Sequence, residues 1–421
     1  MNKLKRTINY IIVLIYRLVR RIPFLEYAYI RFRALSHGDK LLRLKPLSVK
    51  EYCYLKDYWI KNIEEPQKRM VYKADYYPDI KGEEHYCDSP EIYICKLKDV
   101  VVIGGSAVMM ADEYALTDVC DNYKDDRVDY IAGPILKADR NDFYIEVSKD
   151  IRSIKNTVVN LSGLAASNYY HLTIELLSRF KYIQDNIKNE EYVVLLDKDA
   201  EKYPQYCSLI KRILGEQKIE FIDFGERLFC NKVIYPSVNT WMPFNVKSNL
   251  YFCISDNIIS KSAVYNVRNN IHIEATDKNK RRKIFISRRN SGFSRLENEE
   301  DVAALFVEYG YEIICLEKVS YADQVRLFAE ASCIVGASGA ALTNVIYCKS
   351  DAVIGCFIPR KYNFYIYSSM AHMIGCKVLF FDADVVNSSF AFSAESCKVN
   401  LKKCRQYIKL LEKLMGEEER T

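Results

Sequence analysis

The sequence predicts an α/β protein with two successive halves, each built around a parallel sheet. From about residue 157 onward, apolar runs of strand length alternate with segments of helical period, which is typical of parallel sheets. A polar, basic stretch at 274–283 divides this alternating region in two. The chain has 421 residues, 49% hydrophobic and 28% charged, which is enough for large cores in two or three domains.

The N-terminal segment, residues 1–45, is strongly basic. It holds eleven Lys or Arg and two Asp or Glu, whereas the whole chain has a net charge of +6. Its apolar stretch Ile8–Tyr16 is far shorter than the ~20 residues that span a bilayer. Arg17, Arg20 and Arg21 end that stretch, and no signal-peptide cleavage site follows. We expect an amphipathic helix on an anionic membrane surface, or alternatively a helix packed on the protein itself.

The rest of the chain excludes two classes of function. It is slightly acidic and has no basic stripe with interleaved aromatic residues, so nucleic-acid binding is not expected. In the full chain, the 14 cysteines form no C-x-x-C pair and the five histidines are far apart, so no zinc site is expected. Several cysteines lie in apolar runs, which fits a reducing compartment.

The first part of the body, residues 46–150, is predicted to be a lead-in of short strands. Residues 46–90 are polar and aromatic and show no regular hydrophobic period, so no individual strand is placed there. Residues 91–147 alternate and carry a glycine pair at Gly104 and Gly105, which indicates strands joined by turns.

The first α/β half is assigned to residues 151–273. Its predicted strands are TVVNLS, YVVLLD and IEFIDF, and its predicted helices are NYYHLTIELLSRFKYIQD and PQYCSLIKRILG. The second half is assigned to residues 274–390. Its predicted strands are KIFISRR, YEIICLE, CIVGAS, AVIGCFI and KVLFFD, and its predicted helices are NEEDVAALFVEYG, YADQVRLFAEAS, ALTNVIYC and YNFYIYSSMAHMIG. An amphipathic helix, VNLKKCRQYIKLLEKLMG, closes the chain within residues 391–421.

A loop of small residues from Gly336 to Ala340 follows one predicted strand of the second half. Ligands of open α/β sheets bind at such strand ends, and a helix that starts there favours a phosphate. A tight turn that requires glycine is the alternative. The loop also resembles the G-x-x-G-x-A fingerprint of dehydrogenases, so a nicotinamide-dependent dehydrogenase is a second alternative. That fingerprint normally lies on the first strand.

Arg288, Arg289 and Arg295 follow another strand of the same half. Arginine binds a diphosphate through paired hydrogen bonds and spreads the charge of a leaving phosphate. Glu299 is suited to hold a ribose hydroxyl. A charged surface loop is the alternative, although the shared sheet edge favours a diphosphate site.

His171 and Glu175 are four residues apart on one predicted helix and therefore share a face. A carboxylate can orient a histidine that accepts a proton, and an ordinary polar pair is the alternative.

Two Asp-x-Asp triplets, 197–199 and 382–384, have the pattern that holds a divalent metal in some glycosyltransferases. Such short patterns also arise by chance, and we predict no metal.

Taken together, these segments resemble glycosyltransferase family 61 over roughly residues 91–385. The resemblance rests on three features. A strand ends in Ser287-Arg288, and Arg295 and the pair Asn298-Glu299 follow it. Residues Gly336 to Asn344 then match the family signature Gly-x-His-Gly-Ala-x-Leu-Thr-Asn. NYYHLTIELLSRF resembles the upstream histidine-containing helix of that family. One position departs from the signature, because Ser338 stands where the family usually has histidine.

The resemblance implies an inverting glycosyltransferase of GT-B-like fold, with two facing Rossmann-like domains and a nucleotide sugar, by family a UDP-sugar, on the second. His171 or Glu175 is the candidate base, and neither a metal nor a cofactor is implied. The residues carried over as donor-binding are Arg288, Arg295, Asn298, Glu299, Glu317, Gly336, Ser338, Gly339, Ala340, Leu342, Thr343 and Asn344.

The resemblance also suggests a biological setting. Bacterial relatives often serve capsular or other surface-polysaccharide synthesis. We expect a cytoplasmic enzyme, peripheral at the inner face of the cell membrane, with a glycan or lipid-linked acceptor. A non-catalytic polysaccharide-assembly protein is the remaining alternative.

Overall fold

The structure is a computed structural model that describes residues 28, 31–32, 39–118, 127–129, 131–138, 141–246, 251–271, 280–289, 295–387 and 395–416. Most of the predicted basic segment and of the predicted linker lies outside these ranges. Within them, no helix combines the length and the apolar character that crossing a membrane requires.

The strands of the described ranges are numbered in chain order. Up to position 246 they are β1 (Lys40–Leu47), β2 (Ile60–Glu64), β3 (Gln67–Lys73), β4 (Asp75–Tyr77), β5 (Glu83–Ser89), β6 (Ile92–Ile103), β7 (Met109–Ala111), β8 (Tyr114–Leu116), β9 (Val128–Asp129), β10 (Ile135–Ala138), β11 (Phe143–Val147), β12 (Ile151–Ile154), β13 (Val158–Asn160), β14 (Val193–Asp197), β15 (Ile219–Ile222), β16 (Arg227–Pro236) and β17 (Asn245–Val246). After it they are β18 (Arg282–Ile286), β19 (Glu312–Ile314), β20 (Ala331–Ala337), β21 (Val353–Phe357), β22 (Lys377–Phe381), β23 (Asp384–Asn387) and β24 (Ser396–Lys398).

The helices fall into three kinds. The α-helices are α1 (Val49–Leu55), α2 (Phe180–Asn186), α3 (Pro204–Leu214), α4 (Lys261–Asn270), α5 (Glu299–Glu308), α6 (Tyr321–Glu330), α7 (Ile366–Ile374) and α8 (Leu401–Leu414). The 3-10 helices are Leu177–Arg179, Lys198–Glu201, Ile254–Asn257, Leu316–Lys318, Ala340–Tyr347 and Arg360–Tyr362, and a π-helical turn covers His171–Leu176.

The first sheet is mixed. Its spatial order is β10-β11-β1-β8-β7-β6-β16-β13-β14-β15, with β12 also on β16 and β2 also on β6. Strands β16, β13, β14 and β15 are parallel, whereas β6 runs antiparallel to β16 along a long ladder. The sheet therefore continues without a break from the lead-in strands into the first α/β half.

The second sheet is parallel throughout, in the order β19-β18-β20-β21-β22-β4. The chain enters at β18, adds β19 on one side, and then builds β20, β21 and β22 on the other. The direction of winding therefore reverses between β18 and β20. The edge strand β4 comes from the lead-in.

Helices packed between the two sheets bury one continuous hydrophobic core, which takes in Leu196 of the first sheet and Ile334 of the second. Strand β20 is buried along its whole length. Because side chains alternate along a strand, Ile334 faces this core while Val335 faces a second core beneath α5 and α8. The two sheets are thus held against each other by shared apolar packing.

The strands and helices predicted in the two α/β regions are present in the structure. One prediction is wrong in detail. The sequence predicts a single helix over 168–185, but this segment contains a π-helical turn and a 3-10 turn before α2. Residues 46–90, where the sequence places no individual strand, contain α1 and β2 to β5. Strand β4 is only three residues long and is stabilised by pairing with a distant strand, so local sequence carries no sign of it.

Candidate active site

The residues predicted to bind a diphosphate converge where the second sheet reverses its winding. Ser287 and Arg288 follow β18, and Ser338 and Gly339 follow β20. These two strands are neighbours, and their carboxyl ends lie on the same edge. The crevice outside such a reversal is where open α/β sheets bind their ligands. The predicted shared edge is therefore confirmed.

Arg288 lies directly against the glycine loop. Its Nη1 donates a hydrogen bond of 2.9 Å to the carbonyl oxygen of Ser338. A Cβ atom on Gly339 would come within 2.5 Å of Nη1 and 3.0 Å of Cζ of Arg288. Gly339 has extended backbone angles, so this position is restricted by the close approach of the guanidinium and not by backbone strain.

A second guanidinium lies near the first. Burial, and next the positive charge of Arg288, lower the pKa of Arg295. Two cations brought together in a partly buried place repel each other, and a bound anion removes that repulsion. Arg289 points elsewhere, since its Nε donates to Oγ of Ser287 at 3.2 Å. Arg288 and Arg295 therefore form the cationic part of the candidate site.

Glu299 supports the backbone beside Arg288. Its Oε1 accepts hydrogen bonds from Oγ of Ser287 at 2.5 Å and from the backbone N–H of Arg288 at 2.8 Å, and the residue is buried. A carboxylate in this position orients the arginine. Its predicted contact with a ribose hydroxyl is untested.

Asn298 and Glu317 are the outlying members of the predicted set. The side-chain amide of Asn298 donates to the carbonyl of Val399 and its Oδ1 accepts from the N–H of Val399, the residue that follows strand β24. Glu317 is exposed on the 3-10 turn after β19. Asn298 therefore stabilises the fold at this corner. Glu317 follows β19, the strand that neighbours β18 on the side away from β20.

The remaining members of the signature continue from the strand into a 3-10 helix. Gly336 is the sixth residue of β20, and Ala340 begins the helix. Leu342 and Thr343 are buried, as is Asn344. The signature therefore contributes a loop facing the crevice, Ser338 to Ala340, followed by residues that anchor it.

Asn344 joins the two halves of the chain. Its Oδ1 accepts a hydrogen bond of 2.5 Å from the hydroxyl of Tyr169, and its Nδ2 donates to Oε1 of Gln324 at 3.0 Å. All three side chains are buried. The glycine loop is thereby linked to the turn that carries His171.

The predicted pair of His171 and Glu175 is present. Nδ1 of His171 lies 2.6 Å from Oε2 of Glu175, and both side chains are about one-fifth exposed. The pair lies on the π-helical turn His171–Leu176, and such turns recur at functional sites. The ring of Phe244 lies 6.0 Å from that of His171. The pair can take up a proton at the imidazole while the carboxylate holds the ring in place.

His171 and Glu175 line a cavity of about 90 Å³ at the carboxyl end of β13. Burial raises the pKa of the neighbouring Tyr170, and the charges of Glu175 and Tyr367 add to this effect.

The Asp-x-Asp triplets show no sign of holding a metal. Oδ1 and Oδ2 of Asp197 accept hydrogen bonds from the N–H groups of Gly105 and Gly163 at 2.6 and 2.7 Å, and burial raises the pKa of Asp197 to about 7. Asp382 accepts a hydrogen bond from the N–H of Arg360. In the described part of the chain, no group of three or more His, Cys, Asp or Glu side chains is arranged to hold a metal ion.

Sequence reasoning missed Arg179. This residue is 3% exposed and lines the same cavity as His171 and Glu175. It follows Glu175 by four positions, so the spacing that singled out His171 and Glu175 extends to Arg179. The sequence contained this signal, but nothing in it distinguished a buried arginine from one on the surface.

A second, larger cavity of about 650 Å³ opens further along the same sheet edge, at the ends of β21 and β22. Lys73, Arg360 and Lys361 line it together with Asp382 and Asp384. The edge that carries Arg288 thus continues into a polar cleft large enough for a nucleoside.

The comparison with protein families decides the class of this molecule. A family model described as Glycosyltransferase 61 matches residues 169–355, a range that begins at Tyr169, takes in the His171 pair and ends within β21. Residues 169–355, a little under half of the chain, are similar to this family of glycosyltransferases. The protein is therefore a transferase enzyme, and the match favours this class over a dehydrogenase.

Comparisons of the whole glycosyltransferase with known proteins add little to that match. A comparison with curated proteins gives no match. Among solved structures, it is similar to the iron-containing dodecameric glycosyltransferase TibC from enterotoxigenic E. coli H10407, at 10% identity and a TM-score of 0.27 over 85% of this chain and 92% of that one. It is also similar to the TibC heptosyltransferase in complex with ADP-D-beta-D-heptose, at 9% identity and a TM-score of 0.28 over 65% and 82% of the two chains. At such TM-scores the likeness carries no argument about this protein.

Proposed function

We propose that this enzyme transfers a sugar, with inversion, from a nucleotide-diphosphate donor to a glycan or lipid-linked acceptor in surface-polysaccharide synthesis. A UDP-sugar is the favoured donor. The observation that carries the proposal is the contact of Arg288 with the backbone of Ser338 at the point where the second sheet reverses its winding. A GT-B-like arrangement, with the donor on the second half and the acceptor on the first, accounts for this location.

On the donor side, the diphosphate occupies the crevice beside Arg288 and Arg295. Their guanidinium groups neutralise the charge that develops as the bond from the sugar to the phosphate breaks. The N–H groups at the start of the helix Ala340–Tyr347 add the positive end of its dipole. The nucleoside extends along the sheet edge toward the cavity near Arg360.

On the acceptor side, His171 takes the proton of the attacking hydroxyl and Glu175 holds the imidazole. Attack from the side opposite the leaving diphosphate inverts the anomeric carbon. The two partners of the reaction therefore approach from different halves of the chain, since His171 lies in the first and Arg288 in the second.

We also propose that the enzyme acts in the cytoplasm as a peripheral protein of the inner membrane face. The support is the excess of basic residues in positions 1–45, because each Lys or Arg near an anionic leaflet contributes about 1 kcal/mol of attraction. A lipid-linked acceptor would meet the enzyme at that surface.

Titration calorimetry with UDP, UDP-sugars and NADP tests the donor class. Saturable binding of UDP and of at least one UDP-sugar, without binding of NADP, is the expected result. Binding of NADP without UDP would reject the transferase mechanism proposed here, and binding of neither would favour a polysaccharide-assembly role. Product analysis with the bound UDP-sugar then reports the anomeric configuration.

A further inference from the structure

Arg179 is a buried cation whose partners do not balance its charge. It ends the 3-10 turn Leu177–Arg179 and is 3% exposed. Its Nη1 donates to the carbonyl oxygen of Pro236 at 3.1 Å, while its buried Nε has no hydrogen-bond partner. Among the described residues, no carboxylate forms an ion pair with it.

Such a charge is costly to bury. Burial lowers the pKa of Arg179, and the groups that counter this effect are Tyr235, Asp118, Glu175 and Asp197. The side-chain hydrogen bond that Arg179 makes among the described residues goes instead to the carbonyl oxygen of Pro236. A buried guanidinium without a contacting counter-ion is unusual in a folded protein, because desolvation of a charge is repaid only by a close partner. The arrangement is explained if the partner is a ligand.

The cavity next to Arg179 has the size and polarity for a small anion. Its volume of about 90 Å³ holds a few water molecules but not a sugar ring. Asn160, Ser162 and Thr240 add polar side chains to its wall. Glu175 also lines it, and its Oε2 lies 2.6 Å from Nδ1 of His171, so that oxygen is held by the imidazole.

We propose that Arg179 binds an anionic group of the acceptor, a carboxylate or a phosphate, next to the hydroxyl that attacks the donor. This inference rests on the proposed function, since the diphosphate of the donor is assigned to Arg288 and Arg295. Anchoring the anion on Arg179 brings a neighbouring hydroxyl toward His171, because both residues line one cavity. The enzyme is then selective for acidic acceptors.

The first test uses the full-length enzyme, with inorganic phosphate and glucuronate as probes and glucose as the neutral control. Ring NMR signals of the five histidines are recorded, and His171→Gln assigns the signal of His171. Phosphate or glucuronate is expected to shift that signal saturably, and glucose is not. The stronger of the two probes separates phosphate-bearing from carboxylate-bearing acceptors. No response to either anion at millimolar concentration would overturn the proposal.

The second test uses variants. Arg179→Gln should weaken the anion response by about 10- to 100-fold, as expected for loss of a charged hydrogen-bond donor. Arg179→Lys keeps the charge and should retain part of the response, so it serves if the glutamine variant does not fold. Arg288→Ala should leave the anion response intact and weaken UDP binding.

The outcomes separate this inference from the proposed function. An anion response without any UDP binding would reject the proposed donor and leave the Arg179 site standing. Equal loss of UDP and anion binding in Arg179→Gln would mean that the cavity holds the diphosphate of the donor, which overturns an acceptor site. UDP binding that is unchanged in this variant, with loss of the anion response, supports it.

Discussion

The hydroxyl of Tyr169 donates a buried hydrogen bond of 2.5 Å to Oδ1 of Asn344. Tyr169 comes two residues before His171, and Asn344 follows Gly339 by five. A single bond thus connects the segment carrying the candidate base with the segment carrying the candidate diphosphate loop. Together with the continuous core between the sheets, it holds these two segments in place relative to each other.

Replacement of Arg288 or Arg295 should weaken nucleotide binding. Each guanidinium that contacts a phosphate contributes ~1.5–3 kcal/mol, so Arg288→Ala and Arg295→Ala should each raise the Kd for UDP by about 10- to 100-fold. Calorimetry measures this change. Arg405→Ala, at an exposed ion pair on α8, is the control and should bind UDP as the wild type does. Wild-type affinity for UDP in both site variants would show that the diphosphate binds elsewhere.

Gly339→Ala should affect binding more than folding. The new methyl group meets only the end of the flexible Arg288 side chain, at 2.5 Å from Nη1, so the fold can accommodate it by displacing that guanidinium. We expect a Tm close to that of the wild type and a loss of UDP affinity similar to that of Arg288→Ala.

A double-mutant cycle checks the mechanism of this loss. If Gly339→Ala acts through Arg288, the double variant binds UDP no more weakly than Arg288→Ala alone. Additive losses would show that the methyl group blocks the nucleotide itself.

His171→Ala and Glu175→Gln should slow the reaction without weakening the binding of the donor nucleotide. A positioned general base contributes about 10²- to 10⁴-fold to the rate, so kcat should fall by that order in His171→Ala and by less in Glu175→Gln. UDP affinity should stay at the wild-type value, because neither residue belongs to the proposed diphosphate site. An unchanged kcat in His171→Ala would show that His171 is not the general base.

Asp197 should make stability depend on pH. Burial raises its pKa in the folded state to about 7 from an ordinary value of 3.8. The folded state then binds an extra proton between these values, and the resulting stabilisation is full below about pH 4 and is lost as pH rises through 7. The difference corresponds to on the order of 4 kcal/mol at most.

Urea unfolding of the wild type and Asp197→Asn at several pH values measures this effect. The free energy of unfolding of the wild type should fall relative to that of the variant as pH rises from 4 to 8. Asp199→Asn, at an exposed carboxylate two positions on, is the matched control. Parallel curves for the wild type and Asp197→Asn would show that Asp197 is ionised across this range.

The N-terminal segment should bind anionic vesicles through its charge. Changing Arg17, Arg20 and Arg21 to Glu should abolish flotation with anionic liposomes, and high salt should weaken flotation of the wild type. Changing Lys402, Lys403 and Lys409 of α8 to Glu makes the same change in charge elsewhere and should have no effect. Equal binding to neutral and anionic vesicles would contradict a charge-driven attachment.

The sequence alone was sufficient for much of the second sheet and its ligand edge. The periods of its strands and helices are regular, and the glycine loop and the arginines follow neighbouring strands because parallel strands end on one edge. The π-helical turn at His171 could not be predicted, since π and α turns differ in hydrogen bonding and not in hydrophobic period. The hydrogen bonds of Glu299 to Ser287 and Arg288 could not be predicted either. They depend on the geometry of a loop, which the hydrophobic period does not report.

The position of strand β4 affects both the behaviour of fragments of this chain and the folding of the chain during synthesis. It closes the edge of the second sheet by pairing with β22, and the adjacent strand β3 bonds to α7, where Tyr72 and Ser368 are 296 positions apart. A fragment that begins at the second α/β half would leave an open strand edge and uncovered apolar surface, which favours aggregation. During synthesis, at 5–20 residues per second, β4 waits for roughly 15–60 s before its partner emerges. The second sheet is therefore complete only when nearly the whole chain has left the ribosome.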